Sequence, residues 1–339
     1  MYSENYYLLN IININKIQFL FILLYFIFII FIICSFKKNK SYNYCSKCIQ
    51  YKKINNKKCL ECPLDTIFKN FKIFNEEETL NEIIINNKSI ARFGDGEFLL
   101  IYGQNIGFQK FNKTLSNKLK EVLNNNYNNL LIGINLKSNK NIEKYTNFSK
   151  NYYLRWIEIN KLKIASLLNK KINYYSSMIT RFYIEYEDKS QVPQYIKILK
   201  KIWNRKDILI IEGENTRIGV GNNLINNAKS IKRIICPTLN AFDVYDKIIN
   251  EVLIKIKKNI LILISLGPTA TVLAYDLCKL GYQAIDVGHI DIEYEWFLKN
   301  ATKKIAIKNK FVNEVVGGCN ITETKDKLYN HQIIMKIIN

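Results

Sequence analysis

Ile260-Leu261-Ile262-Leu263-Ile264-Ser265-Leu266, followed at once by Gly267-Pro268-Thr269-Ala270-Thr271, is the stretch that decides the fold. Seven residues without polar alternation read as a strand buried on both faces. The Gly-Pro break and the run from Thr269 to Leu280 then read as a helix, with Thr269 in position to cap it. A buried strand turning directly into a helix is the repeating unit of a parallel sheet.

The same unit recurs on either side. Downstream, Ala284 to Val287 reads as a strand. Upstream, helical patterning covers Ala241 to Ile256, IKRIIC (231–236) is a strand, Gly221 to Lys229 opens a helix, and DILIIE (207–212) is another strand. Further back, a helix lies around Tyr152 to Leu168, LLIGINL (130–136) is a buried strand, and Asn75 caps a helix with acids in its first turn. Apolar strands separated by helices of this length predict an α/β, Rossmann-like, mostly parallel sheet with helices on both faces, over residues 76–316.

In such sheets ligands sit at the carboxyl ends of strands, and four predicted strand ends carry unusual chemistry. In Arg92-Phe93-Gly94-Asp95-Gly96-Glu97, two glycines can bend two carboxylates toward one hard cation, although a solvated surface turn would read alike. In the segment from Glu212 to Asn222, Gly219 and Gly221 would let backbone N–H groups reach an anion, helped by Arg217 and Asn222; a flexible connection is the alternative. At Gly267 to Thr271 a capped helix start would aim free amides above the sheet. The segment from Asp286 to Trp296 holds one of only two histidines, so His289 beside Asp291 and Glu293 could act as a base oriented by a carboxylate, or stand as a structural histidine. Together these loops suit a nucleoside diphosphate bridged by a divalent metal, with an acceptor hydroxyl alongside.

Five motifs in order, Ala91 to Glu97, Glu212 to Asn222, Ile234 to Asp243, Ser265 to Asp276 and Asp286 to Trp296, resemble the GT-D-fold glycosyltransferases, a family first met in bacterial glycosylation of serine-rich adhesins. The resemblance implies a glycosyltransferase using a UDP-sugar, glucose favoured, with a glycan or glycoprotein acceptor. It further implies that Asp95 and Glu97 form a D-x-E motif engaging the diphosphate through a divalent cation, commonly manganese, with Arg92 and Gly94 beside them. Roles in substrate binding for Arg217, Gly219, Gly221, Asn222, Gly267, Thr269, Thr271 and Glu293, and in catalysis for His289 and Asp291, are expectations from loop placement. The alternative is a nucleotide- or glycan-binding membrane protein without turnover.

The flanks lie outside that resemblance. After a tail (1–16), the uncharged run 17–36 is long enough to span about 30 Å as a helix and predicts a single-pass membrane anchor. Lysines crowd its downstream side, which favours a cytosolic catalytic domain; a lumenal one is the alternative. Within a Lys-rich linker (37–75), Cys45, Cys48, Cys59 and Cys62 form two C-x-x-C pairs that suit a structural zinc or, in an oxidising compartment, two disulfides. Residues 317–339 are expected as a tail. A charge of +21, from 50 Lys and Arg against 29 Asp and Glu in 339 residues, attracts anions generally. No basic-aromatic array recurs, which argues against nucleic acid as the partner.

Overall fold

The computed structural model describes residues 67–136, 142–319, 321 and 324–338. In chain order the elements are β1 (Lys72–Ile73), α1 (Glu76–Ile85), β2 (Ser89–Phe93), α2 (Asp95–Ile101), α3 (Lys113–Leu123), β3 (Leu130–Ile134), α4 (Asn147–Leu167) and β4 (Asn173–Ser176). There follow α5 (Val192–Leu199), β5 (Asp207–Gly213), β6 (Ser230–Cys236), α6 (Tyr245–Lys255), β7 (Leu261–Ser265), α7 (Pro268–Lys279), β8 (Ala284–Asp286), α8 (Ile290–Leu298), α9 (Lys327–Gln332) and β9 (Ile333–Lys336).

All nine strands form one sheet in the order β1-β4-β3-β2-β8-β7-β5-β6-β9. Every pairing in it is parallel. The expected α/β architecture is therefore present. β3 and β7 are buried at every position, as a strand covered on both faces requires. Helix starts are set locally: Asn75 and Glu78 exchange side-chain and backbone hydrogen bonds at 3.0 and 2.8 Å, a complete capping box for α1. Ahead of α7 it is Gly267, at φ +52, that stands as N-cap with Pro268 at the first helical position. Thr269, expected as the cap, lies inside the helix.

Other expectations are corrected. Residues 221–229 form turns, and no helix. Positive φ at Gly219 and Gly221 breaks the backbone run, and Asn222 Oδ1 accepts from Leu224 N–H at 3.0 Å, so the asparagines bond locally in place of a helical ladder. Residues 286–296, read as a loop, largely enter α8. The sheet also uses residues on both sides of 76–316: β1 at one edge and, within the expected tail, β9 at the other, paired to β6. The single-pass membrane placement is withdrawn. Among the described residues no helix is long and apolar enough to cross a membrane, and the run 17–36 lies outside them. Cys45, Cys48, Cys59 and Cys62 also lie outside the described residues.

Candidate active site

The chain runs outward from β2 through β3 to β4, crosses to β5 and β6, and returns through β7 to place β8 beside β2. Strand ends that diverge in this way open a crevice. A cleft of about 550 Å³ lies there, lined from the carboxyl ends of β2, β3, β5, β7 and β8 by Arg92, Asn135, Gly213, Ser265 and Gly288, among others.

Arg92 is the fixed point of its floor. Its Nε donates to the Asp286 carbonyl at 2.7 Å, Nη1 to the Ser177 carbonyl at 3.0 Å and to Thr180 Oγ1 at 2.7 Å, and Nη2 to Asp286 Oδ1 at 3.0 Å. Its backbone carbonyl accepts from Thr271 Oγ1 at 2.9 Å. Burial pushes the Asp286 carboxyl upward, and the Arg92 guanidinium opposes that. The arginine is committed to the scaffold, and Asp286, which the sequence reading left without a role, is its counter-ion. Gly288 makes room for it. At φ +46, a Cβ there would stand 2.0 Å from Arg92 Nη2. Gly288→Ala is expected to cost about 1–3 kcal/mol of stability through backbone strain alone, with a further loss from displacing the guanidinium; an unchanged thermal midpoint would disprove this seating of Arg92.

Asp95 and Glu97 occupy the first turn of α2, so the expected glycine-flanked turn is a helix start. Glu97 Oε2 reaches back to accept from Gly94 N–H at 2.7 Å. Burial, reinforced by Asp286 and Asp95, pushes its pKa up to about 7. Asp95 is exposed, takes the Gly96 N–H at 3.0 Å, and accepts from the Tyr152 hydroxyl of α4. Both carboxylates line the cleft.

His289 also lines it, but its expected partner does not face it. Asp291 is buried and occupied: Oδ2 accepts from Lys310 Nζ at 2.6 Å, and Oδ1 from Gly219 N–H at 2.8 Å and Asn222 Nδ2 at 2.9 Å. The partner is Glu314, whose Oε1 lies 3.1 Å from His289 Nδ1. Glu314 also binds Arg181 at 2.5 Å and pairs with Lys304. Although burial pushes Glu314 up, Arg181 and His289 hold it far below the usual carboxylate range. Burial, then Arg181, lowers the His289 pKa, which favours neutral imidazole. Nothing local in the sequence marks Glu314; the fold alone brings it to His289.

The remaining expectations divide. Gly267 lines the cleft, whereas Thr269 and Thr271 are fully buried beneath it. Gly219, Gly221 and Asn222 line a second cavity of about 560 Å³ together with residues of α9, and Gly219 and Asn222 spend their donors on Asp291. Arg217 is buried, donating to the Asn309 carbonyl at 2.9 Å. Glu293 is fully buried beneath Arg181 and accepts from Tyr183 and Ile184 N–H, each at 3.0 Å; burial pushes its pKa up to about 7. The glycine loop is thus a structural tie between β5 and α8.

Residues 90–315 match the family described as "Glycosyltransferase GT-D fold". The chain is 36% identical over 287 residues to "Glycosyltransferase GlyD" of Streptococcus pneumoniae serotype 4, covering 85% of this chain and 34% of that protein. It is 37% identical over 261 residues to "Probable glycosyl transferase Gly" of Streptococcus gordonii, covering 77% and 38%. The chain thus spans little more than a third of the length of these curated relatives. Among solved structures, one described as "The highly conserved domain of unknown function 1792 has a distinct glycosyltransferase fold" superimposes with a TM-score of 0.75 at 37% identity, covering 81% of this chain and 98% of that one. "A New Glycosyltransferase (DUF1792) from Streptococcus sanguinis" gives 0.74 at 35% identity, covering 79% and 99%.

Proposed function

Because the chain belongs to the GT-D-fold glycosyltransferase family, we propose that it moves a sugar, glucose favoured, from a UDP-sugar to a glycan or glycoprotein acceptor with a divalent cation, manganese being the expected ion. The observation that carries this reading is that Asp95, Glu97 and His289, brought from chain segments far apart, line one cleft at the carboxyl ends of the strands. The same residues would also serve other hexoses, so the donor sugar rests on the family resemblance.

The acidic pair fits such an ion. Asp95 and Glu97 offer hard oxygen donors, no ion pair is seen for either among the described residues, and burial, reinforced by Asp286 and Asp95, pushes the Glu97 pKa up to about 7. No group of three or more His, Cys, Asp or Glu side chains gathers as a metal cluster among the described residues. Two carboxylates suffice where substrate phosphates and water complete an octahedral shell. When bound, the cation would offset the charge that develops on departing UDP.

The chain's own groups set the geometry. The Tyr152 hydroxyl steadies Asp95, and Gly94 N–H fixes the Glu97 carboxylate. With His289 Nδ1 on the side of the Glu314 carboxylate, 3.1 Å away, Nε2 is left to take the proton of an acceptor hydroxyl, and the lowered imidazole pKa keeps it unprotonated near neutral pH. Asp291, bound to Lys310, is not the base in this reading.

Manganese-dependent release of UDP from UDP-glucose tests the proposal. Asp95→Asn is expected to reduce it about 10²–10³-fold, the scale of one lost charge-stabilising group; equal rates in wild type and variant would refute it. UDP release should also rise with pH through about 7 in subsaturating manganese, because a cation must displace the proton that Glu97 holds below that pH. Saturating manganese should move the midpoint lower, whereas a midpoint insensitive to manganese would remove Glu97 from the metal site.

A further inference from the structure

The chain has three tryptophans, and they are not equivalent. Trp203 and Trp296 are core residues whose Nε1–H groups donate to the Leu224 carbonyl at 3.1 Å and the Ile305 carbonyl at 2.9 Å. Trp156, on α4, meets Phe98 in a tilted ring contact with centroids 5.8 Å apart and lines the cleft. Its Nε1 is shielded from solvent and has no partner among the described residues. Buried indole N–H groups are ordinarily satisfied, so an orphan at the wall of a cleft marks a place for an acceptor atom from outside the chain. Asn135 Oδ1, just past the end of β3, also lines the cleft and is buried with no partner among the described residues.

Beside these two atoms the wall is aromatic and open. Phe148 and Tyr152 stand about two turns and one turn before Trp156 on α4, at the i, i+4, i+8 spacing that puts three side chains along one strip of a helix. All three line the cleft; Phe148 is 75% exposed and Tyr152 54%, values unusual for large rings in a folded domain. Tyr152 also hydrogen-bonds Asp95, so the middle of the strip meets the place where the donor's diphosphate is proposed to lie, and Phe148 carries the strip outward to solvent. A cleft that offers aromatic rings together with an unpaired donor and an unpaired acceptor matches a pyranose ring, which presents axial C–H groups to a stacking surface and hydroxyls at its edge. A bare serine or threonine on a peptide would use neither the faces nor the orphaned pair.

We propose that Phe148, Tyr152 and Trp156 form the acceptor subsite, stacking the terminal pyranose of a glycan while Trp156 Nε1–H and Asn135 Oδ1 bond its hydroxyls. The inference rests on the transferase reading for its place in the reaction, but the binding it asserts can be measured without turnover. A longer acceptor would leave across Phe148, the outermost ring. The nucleoside then occupies the part of the cleft lined by Thr216 and Thr238, which follow β5 and β6.

Cellobiose is titrated into the full chain, with tryptophan fluorescence as readout, in wild type, Phe148→Ala and Trp156→Phe, each with and without UDP and manganese. Phe148 is exposed and Trp156→Phe keeps an aromatic ring, so both variants should fold, as circular dichroism would verify. Wild-type fluorescence is expected to change on binding, Phe148→Ala to bind about tenfold more weakly, and Trp156→Phe to lose the signal and, by calorimetry, affinity. UDP with manganese should leave cellobiose binding intact. An absence of wild-type response, equal affinity in Phe148→Ala, or competition between UDP and cellobiose would each overturn the subsite. Cellobiose binding that persists where wild type releases no UDP from UDP-glucose would uphold the subsite while the transferase reading falls.

Discussion

Replacing Arg92 by alanine is expected to reduce UDP release more than a thousandfold and to destabilise the protein by about 3–5 kcal/mol, the usual cost of stripping the partner from a buried charge. The side chain touches three strand ends at once: β2 carries it, β4 leads into Ser177 and Thr180, and β8 supplies Asp286. Asp286 is only 4% exposed, so without the guanidinium its carboxylate must protonate or draw in water. Such a loss is a large part of the 5–15 kcal/mol that holds typical domains together. Arg92→Lys keeps the charge but cannot present the four directed bonds seen here, and should recover only part of the stability. Chemical denaturation and the UDP-release assay on the same samples separate the two effects. If Arg92→Ala denatures with the wild-type midpoint, the cleft floor is not held as described.

Arg233→Met is expected to cost a similar 3–5 kcal/mol or so, at a site away from the Arg92 floor. Arg233 and Glu212 are buried neighbours on paired strands, 2.5 Å apart. Arg233 also donates to the Ile218 carbonyl and to Gln332, each at 2.8 Å, and lies over the Tyr329 ring. It therefore holds three things together: the β5–β6 pair, the turn after β5, and α9 at the sheet edge. Burial already pushes the Glu212 pKa up even with Arg233 present. In Arg233→Met it should rise further, so stability should fall as pH climbs above the usual carboxylate range, because the folded state then binds a proton the unfolded state releases. The double variant Glu212→Leu with Arg233→Met should regain much of the loss, as apolar replacements of buried pairs often do. A double variant no more stable than Arg233→Met would instead mean that the pair's bonds to Ile218 and Gln332 dominate.

The strands that could be read in advance are those that the core covers on both faces. DILIIE and ILILISL announce themselves because four or more apolar residues run together in each without polar alternation, and the structure places them as adjacent central strands. β9 was missed because at a sheet edge its residues alternate between partly covered and exposed, a pattern too short to distinguish from a tail. The helix expected at 221–229 failed because glycine and asparagine set the backbone there, while its apolar residues, Leu224 and Ile225, are buried from a turn. In the candidate site, neighbours along the chain misled where neighbours in space decided. Asp291 stands two residues from His289 yet faces Lys310, whereas Glu314, 25 positions further on, reaches the imidazole. Asp95 and Glu97 were visible from their glycines, but the Tyr152 contact depends on how α4 lies over α2, and no periodicity contains that.

The position of β8 has a bearing on how the molecule is made. Among the described strands it alone lies between β2 and β7, joining the β1-β4-β3-β2 part of the sheet to the β7-β5-β6-β9 part. Until residues 284–286 leave the ribosome, β2 and β7 have no strand between them, and each presents a margin of free amides and carbonyls that could mispair with another copy. Fragments ending before Ala284 should therefore clump during translation and depend heavily on chaperones.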